Sequence, residues 1–212
     1  MSDPTRPVLP KDIPALSAPP LDDELDIEEA RLESLNWSGQ TANRIDVSAT
    51  VVVKGDFTSV VLPKAALRDV RLESCQLAGA TMDEAGLSRV ELIAAQASGL
   101  TITNATLKDV LFKGCRLTLA NFRYSHFKHV VFEDCVITEA DFAYAQFEHV
   151  LFRRCDLTGA QFSGVKLAHV DFRTSDISGL NGVAGLKGAT IDELQLMAIS
   201  RSLAGELGIR IL

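Results

Sequence analysis

From Leu32 to Ile177 every fifth residue is apolar, thirty positions in a row without a slip. The series opens Leu32, Trp37, Ala42, Val47 and closes Phe162, Leu167, Phe172, Ile177. It holds all 10 Phe of the chain and its single Trp. Hydrophobic residues make up 47% of the sequence, so chance would fill about half of these places. A helix repeats at 3.6 residues and a strand at 2, and five fits neither. A short extended stretch followed by a tight turn does fit. Two positions earlier in each repeat lies a second set, small from Ala65 onward apart from Leu100: Val70, Cys75, Ala80, Ala85, Val90, Ala95. Each repeat therefore reads as two inward residues, one outward residue between them, and two more that make a corner.

A second period lies over the first. Val70, Val90, Val110, Val130, Val150 and Val170 are spaced by 20, as are Cys115, Cys135 and Cys155, with Cys75 in the same column. Phe112, Phe132, Phe152 and Phe172 form another column. Gly39, Gly79, Gly99, Gly159 and Gly179 share one corner, where a tight turn favours glycine. Four five-residue sides thus close one square coil. Residues 27–180 make about seven and a half coils, a rod roughly 36 Å long at the ~4.8 Å spacing of neighbouring strands.

The motif A-[DN]-[LF]-x-x, seen as Ala120-Asn121-Phe122, Ala140-Asp141-Phe142 and, with Cys in first place, Cys155-Asp156-Leu157, resembles the pentapeptide-repeat family over about 70% of the chain. The resemblance implies an all-β solenoid, a right-handed quadrilateral β-helix, and no catalysis. Ile45, Thr50 and Gly55 depart from the small-residue column, so the first coils are expected to be looser than the later ones.

A solenoid exposes core and unpaired backbone at both ends and needs caps. The five-residue register fails at Gly182. Beyond it, Thr190-x-x-Glu193 reads as a capping box, and Leu196, Ile199, Leu203 and Leu207 recur at helical spacing. The expectation is a helix over about 191–206, ended by Gly208, with its apolar face on the last coil or on a second subunit. At the other end, the proline-rich residues 1–20 show little pattern and read as a disordered tail. Residues 21–35 read either as an acidic capping helix or as an early coil, since Leu25 and Ile27 keep the register. The expected division is an N-terminal segment 1–24, a β-helix 25–182 and a C-terminal helical cap 183–212.

Charge and composition restrict the function classes. The net charge is −7, yet residues 1–30 carry −6 of it and residues 31–180 only −1. No apolar run approaches the ~18 residues of a membrane helix, and MSDPTRPVLPKDIP lacks the apolar stretch of a secretory signal. These features point to a soluble, cytoplasmic protein. A basic stripe for direct nucleic-acid binding is absent from the sequence. No nucleotide-binding glycine motif, phosphate loop or nucleophile elbow occurs, so no catalytic residue and no cofactor is assigned. The four Cys share the small inward column, where stacked parallel side chains pack but do not build a tetrahedral cage, so no metal is assigned.

Four surface features stand out. His129, His149 and His169 share one outward corner column, which stacks imidazoles without converging them on an ion. Tyr124 and Tyr144 stack at another corner beside Arg123. Leu111, Val131 and Leu151 occupy the outward place of one side on three consecutive coils, where the alternation points them at solvent as an apolar stripe. The helix residues Leu196, Ile199, Leu203 and Leu207 form the cap or a dimer contact. The function expected is a non-catalytic protein–protein interaction module with an unidentified protein partner, able to form a homodimer. The alternative comes from the family resemblance: some pentapeptide-repeat proteins mimic duplex DNA, bind DNA gyrase and confer quinolone resistance. Mimicry needs about one negative charge per 1.7 Å of axis, or about twenty on this rod, against its net of −1.

Overall fold

The computed structural model describes residues 3–210. Its strands form one ten-stranded parallel sheet. β1 (Asp26–Glu28) and β2 (Arg31–Glu33) both pair with β3 (Asp46–Val53). Then follow β4 (Ala66–Glu73), β5 (Gly86–Ile93), β6 (Thr106–Lys113), β7 (His126–Glu133), β8 (Gln146–Arg153), β9 (Lys166–Asp171) and β10 (Ala189–Thr190). From β3 to β9 each strand pairs with the next at an offset of twenty residues, as in Val70↔Val90, Val90↔Val110 and Val110↔Val130. Each long strand bends midway and lines two sides of the square. The other two sides carry single bridges with the same offset, such as Gln96↔Arg116 and Thr101↔Asn121. The square solenoid read from the sequence is the fold observed.

The shaft is filled as the register requires. Every member of the fifth-residue series is buried except Leu167, which is only partly covered where the sheet narrows to the two residues of β10. The phenylalanines stack coil on coil. Phe112, Phe132, Phe152 and Phe172 lie nearly parallel with centroids 4.7, 4.9 and 4.8 Å apart. Phe122, Phe142 and Phe162 form a second stack at 5.1 Å, and Phe127 meets Phe147 at 4.8 Å. Edge contacts, such as Phe122 to Phe127 at 5.7 Å and 72°, lock the stacks together. The early coils are looser, as expected. There an apolar cavity of about 30 Å³ remains among Trp37, Val52, Phe57 and Leu62, and Gly55 is needed because a Cβ would lie 2.6 Å from the Phe57 ring.

The corners explain the repeat motif. The Asn or Asp before the large residue accepts a hydrogen bond from the backbone N–H two residues on: Asn121 from Arg123, Asp141 from Ala143, Asp156 from Thr158. The fifth residue of the repeat then turns the chain in the left-handed region. This holds far beyond the glycine column, at Asp69, Leu119, Tyr124, His129 and His149 with φ between 52° and 59°. An L side chain there costs about 1–2 kcal/mol, and the cross-coil bonds on both flanks hold it in place.

The column of Cys75, Cys115, Cys135 and Cys155 is a packing column. Each thiol donates to the carbonyl twenty-three residues earlier, as Cys115 Sγ to Leu92 O at 3.3 Å and Cys135 Sγ to Phe112 O at 3.4 Å. Ser125 and Ser175 do the same with their hydroxyls, to Ile102 O and Phe152 O. Burial pushes the Cys75 thiol up to about 11. The adjoining Cys115 and Cys155 sulfurs, with burial, raise Cys135 as well.

The ends take the following form. Of the two readings of residues 21–35, the early coil is the one observed, because Ile27, Ala30, Leu32 and Leu35 bury in the shaft register. Residues 3–20, part of the stretch read from the sequence as a disordered tail, make contacts with the coils in the structure. Ala15 bridges Arg31 in parallel, Leu16 N donates to Arg31 O at 3.0 Å, and Trp37 Nε1 donates to Pro19 O at 3.1 Å. This stretch replaces the missing preceding coil and satisfies its hydrogen bonds. The C-terminal helix α1 (Glu193–Glu206) exists, but Asp192 with Gln195 makes its capping box, and Thr190 instead pairs with Asp171 in β10. Buried Gln195 donates to Phe172 O and Ser175 O, closing carbonyls that the last coil leaves open. Glu206 accepts from Val183 N at 2.8 Å and Ala184 N at 2.7 Å, tying the helix down at its far end.

Two stability outcomes follow. Phe132→Ala removes a ring from the middle of a stack and lowers the unfolding free energy by about 3–5 kcal/mol in urea titration. Leu119→Gly, at an exposed left-handed corner, raises it by about 1 kcal/mol, whereas a neutral or negative change would refute the corner strain.

Candidate interaction surface

The stripe of Leu111, Val131 and Leu151 lies on the second side of the square, but it does not face solvent. Val131 and Leu151 are buried and Leu111 is half-buried. The cause at Leu111 and Val131 is the N-terminal segment, which runs down this side from the later coils to the earlier ones. Asp3 pairs with Arg153 at 2.7 Å. Thr5 N donates to Asp109 Oδ1 at 3.2 Å, and Val8 N donates to Asp69 Oδ1 at 2.9 Å. Pro4 and Thr5 close over Leu111 and Val131, leaving a space of about 80 Å³. Nothing in the repeat pattern signals this, since the segment carries no repeat. The proline run was its one visible mark.

The histidine corner borders the same side. His129 and His149 stack at 5.1 Å and 30°, His149 and His169 at 4.6 Å and 5°. The column continues through Asp109, which lies 3.9 Å from His129 Nδ1, to Arg89 and Asp69. Arg89 donates two hydrogen bonds of 2.6 Å to the Asp69 carboxylate. Among the described residues no group of three or more His, Cys, Asp or Glu is placed to hold a metal ion.

Tyr124 and Tyr144 stack as anticipated, at 5.2 Å and 4°, and both remain about half exposed. The Arg123 guanidinium lies 5.5 and 5.8 Å from the two rings and pairs with Asp141 at 2.9 Å. Gly164, the next residue of that column, is the floor of the stack, since a Cβ there would lie 2.7 Å from the Tyr144 ring.

Of the helix residues assigned to a cap or dimer, Ile199 is buried and Leu203 partly covered against the last coil. Leu196 and Leu207 are instead exposed by 48% and 68%, because the helix meets the rod along its Gln195–Ile199–Leu203 edge and at Glu206. Leu194, Met197 and Ile209 are open as well.

Charges on the rod are paired between coils. Lys64 with Glu84, Arg71 with Glu91, Lys113 with Glu133, Lys128 with Glu148 and Arg154 with Asp134 all bridge residues one coil apart.

The profile of the pentapeptide repeat region matches residues 105–181, the part of the chain with the most regular columns. Residues 105–181 thus carry a pentapeptide repeat region. Among solved structures, this chain is similar to a trypsin-treated form of QnrB1, a plasmid-mediated fluoroquinolone resistance protein, at 23% identity over 93% of this chain and 97% of that one, with a TM-score of 0.46. It is also similar to HetL, a pentapeptide repeat protein involved in heterocyst differentiation regulation from the cyanobacterium Nostoc sp. strain PCC 7120, at 19% identity over 82% and 86% of the two chains, with a TM-score of 0.28. A third is a pentapeptide repeat protein of the Arabidopsis thaliana thylakoid lumen, at 22% identity over 57% and 66%, with a TM-score of 0.35. Comparison with curated proteins finds no match. No helix among the described residues is long and apolar enough to cross a membrane.

Arg89, and to a smaller extent the Val8 N–H, holds the Asp69 carboxyl below its ordinary value of 3.8. A depressed folded-state pKa contributes stability above the unfolded value and loses it as pH falls through the folded one. Asp69→Asn is therefore expected to unfold more readily than wild type at about pH 7, with the difference closing as the pH falls below 3.8 and through the lowered folded-state pKa. Thermal melts at neutral and acid pH check it, and a gap that persists in acid would contradict the assignment.

Proposed function

We propose that this pentapeptide-repeat protein is a non-catalytic interaction module that pairs with a second copy of itself through its C-terminal end. One observation supports the reading most. α1 closes the last coil with a narrow edge and leaves Leu194, Leu196, Met197, Leu207 and Ile209 open, an apolar surface on an otherwise ion-paired molecule. Solenoid ends are also where a rod can be joined without disturbing its coils. The four thiols are buried, and the His129, His149 and His169 imidazoles stack on one another, which fits a non-catalytic role.

The alternative, a duplex mimic that binds DNA gyrase, draws less support from the charge pattern. Mimicry needs rows of unpaired acids, whereas lysines and arginines of adjoining coils neutralise much of the carboxylate surface here.

Light scattering after gel filtration tests the pairing. Wild type is expected to elute at twice the 22.9 kDa chain mass, and the double substitution Leu194→Asp with Met197→Asp at the single-chain mass, with unchanged circular dichroism. A wild type that stays at the single-chain mass would end the dimer reading.

A further inference from the structure

The N-terminal segment meets the rod with a matched pitch. Pro4, Pro7 and Pro10 recur every third residue and are half-buried, as is Leu9, while Thr5, Arg6 and Val8 between them are exposed. Proline at every third place puts one face of a polyproline II helix against a surface, and this helix rises ~3.1 Å per residue. Three residues then advance about 9 Å, close to the ~9.6 Å of two coils. The contacts keep that ratio: from Thr5 to Val8 is three residues, and from Asp109 to Asp69 is two coils. In each case the residue after a proline donates its N–H to the carboxylate of a corner aspartate. The intervening coil offers Arg89, which instead braces Asp69. Leu111 and Val131 supply the apolar bed, and Arg153 takes the Asp3 carboxylate at one end.

We infer that this side of the solenoid is a recognition surface for extended proline-rich segments of the P-x-x-P kind, and that residues 3–10 occupy it in cis as its resident ligand. Backbone amides dock on Asp109 and Asp69, Pro4 packs by Leu111 and Val131, and an acidic residue pairs with Arg153. The surface is separate from the α1 end, so this inference and the proposed dimer stand or fall independently.

The test uses the full chain. Substituting Pro4→Gly, Pro7→Gly and Pro10→Gly together loosens the segment and touches no core residue. Hydrogen–deuterium exchange over residues 3–10 is expected to rise at least about tenfold, with the rod's protection unchanged. A labelled synthetic peptide of residues 1–12 is expected to bind this variant at least about tenfold more tightly than wild type, whose own segment competes. The same peptide with its three prolines replaced by glycine is expected to lose the affinity, and Asp109→Ala in the triple variant to weaken capture. Wild-type Thr5 and Val8 amides that exchange as fast as those of the free peptide would overturn the inference. So would a peptide that binds neither protein, binds both equally, or binds regardless of its prolines. Segments exchanged between two copies, seen by cross-linking mixed isotopic labels, would overturn occupancy in cis.

Discussion

Once per side of the square a large apolar side chain must turn toward a common axis and land on its counterpart one coil away. Everything else depends on that repetition. The ~4.8 Å distance between parallel strands is also a good stacking distance for aromatic rings, so backbone pairing and ring stacking reinforce each other. The Phe112–Phe172 column shows the two in step, with centroid separations of 4.7 to 4.9 Å. A coil cannot shift register without breaking both. A small residue two places earlier lets the wall close, and in the early coils, where Ile45 stands there, the packing opens into a cavity.

The corners carry the cost of this arrangement. A chain that turns four times in twenty residues needs a left-handed residue at each turn, and most of those here are not glycine. Asn121, Asp141 and Asp156 ease the turn by capturing the amide two residues on. The remaining strain is spread along the rod and offset by a ladder in which each coil is bonded to two others. Only the first and last coils lack a second neighbour, and there the chain supplies substitutes: residues 14–16 against Arg31, and Gln195 against the carbonyls of Phe172 and Ser175.

The surface follows from the same offset. Side chains twenty residues apart are neighbours, so a Lys or Arg above an acid makes an ion pair, two Tyr make a stack, and three His make a ladder. Exposed pairs of this kind add little stability individually. Their effect is on what the rod presents, a largely neutralised exterior. Against that background the apolar end at α1 and the side covered by residues 3–10 are the two places where the pattern is broken.

The period of five alone dictated the square solenoid, the inward set, the Cys and Phe columns, the tyrosine and histidine stacks and the limit of the repeats near Gly182. It could do so because each of these is a relation at fixed spacing within the chain, repeated often enough to exclude chance. Left-handed corners at His129 or Leu119 were not legible, since those side chains do not favour that conformation and only the closed coil imposes it. The capping box was placed two residues early because Thr190-x-x-Glu193 and Asp192-x-x-Gln195 satisfy the same local rule, and pairing of Thr190 with Asp171 decides between them. Tertiary structure alone decided that the Leu111, Val131 and Leu151 stripe is covered. Its partners Asp3, Thr5 and Val8 lie some sixty to one hundred and fifty residues away in sequence, in a segment whose fit depends on the pitch of a rod that exists only once the coils have stacked.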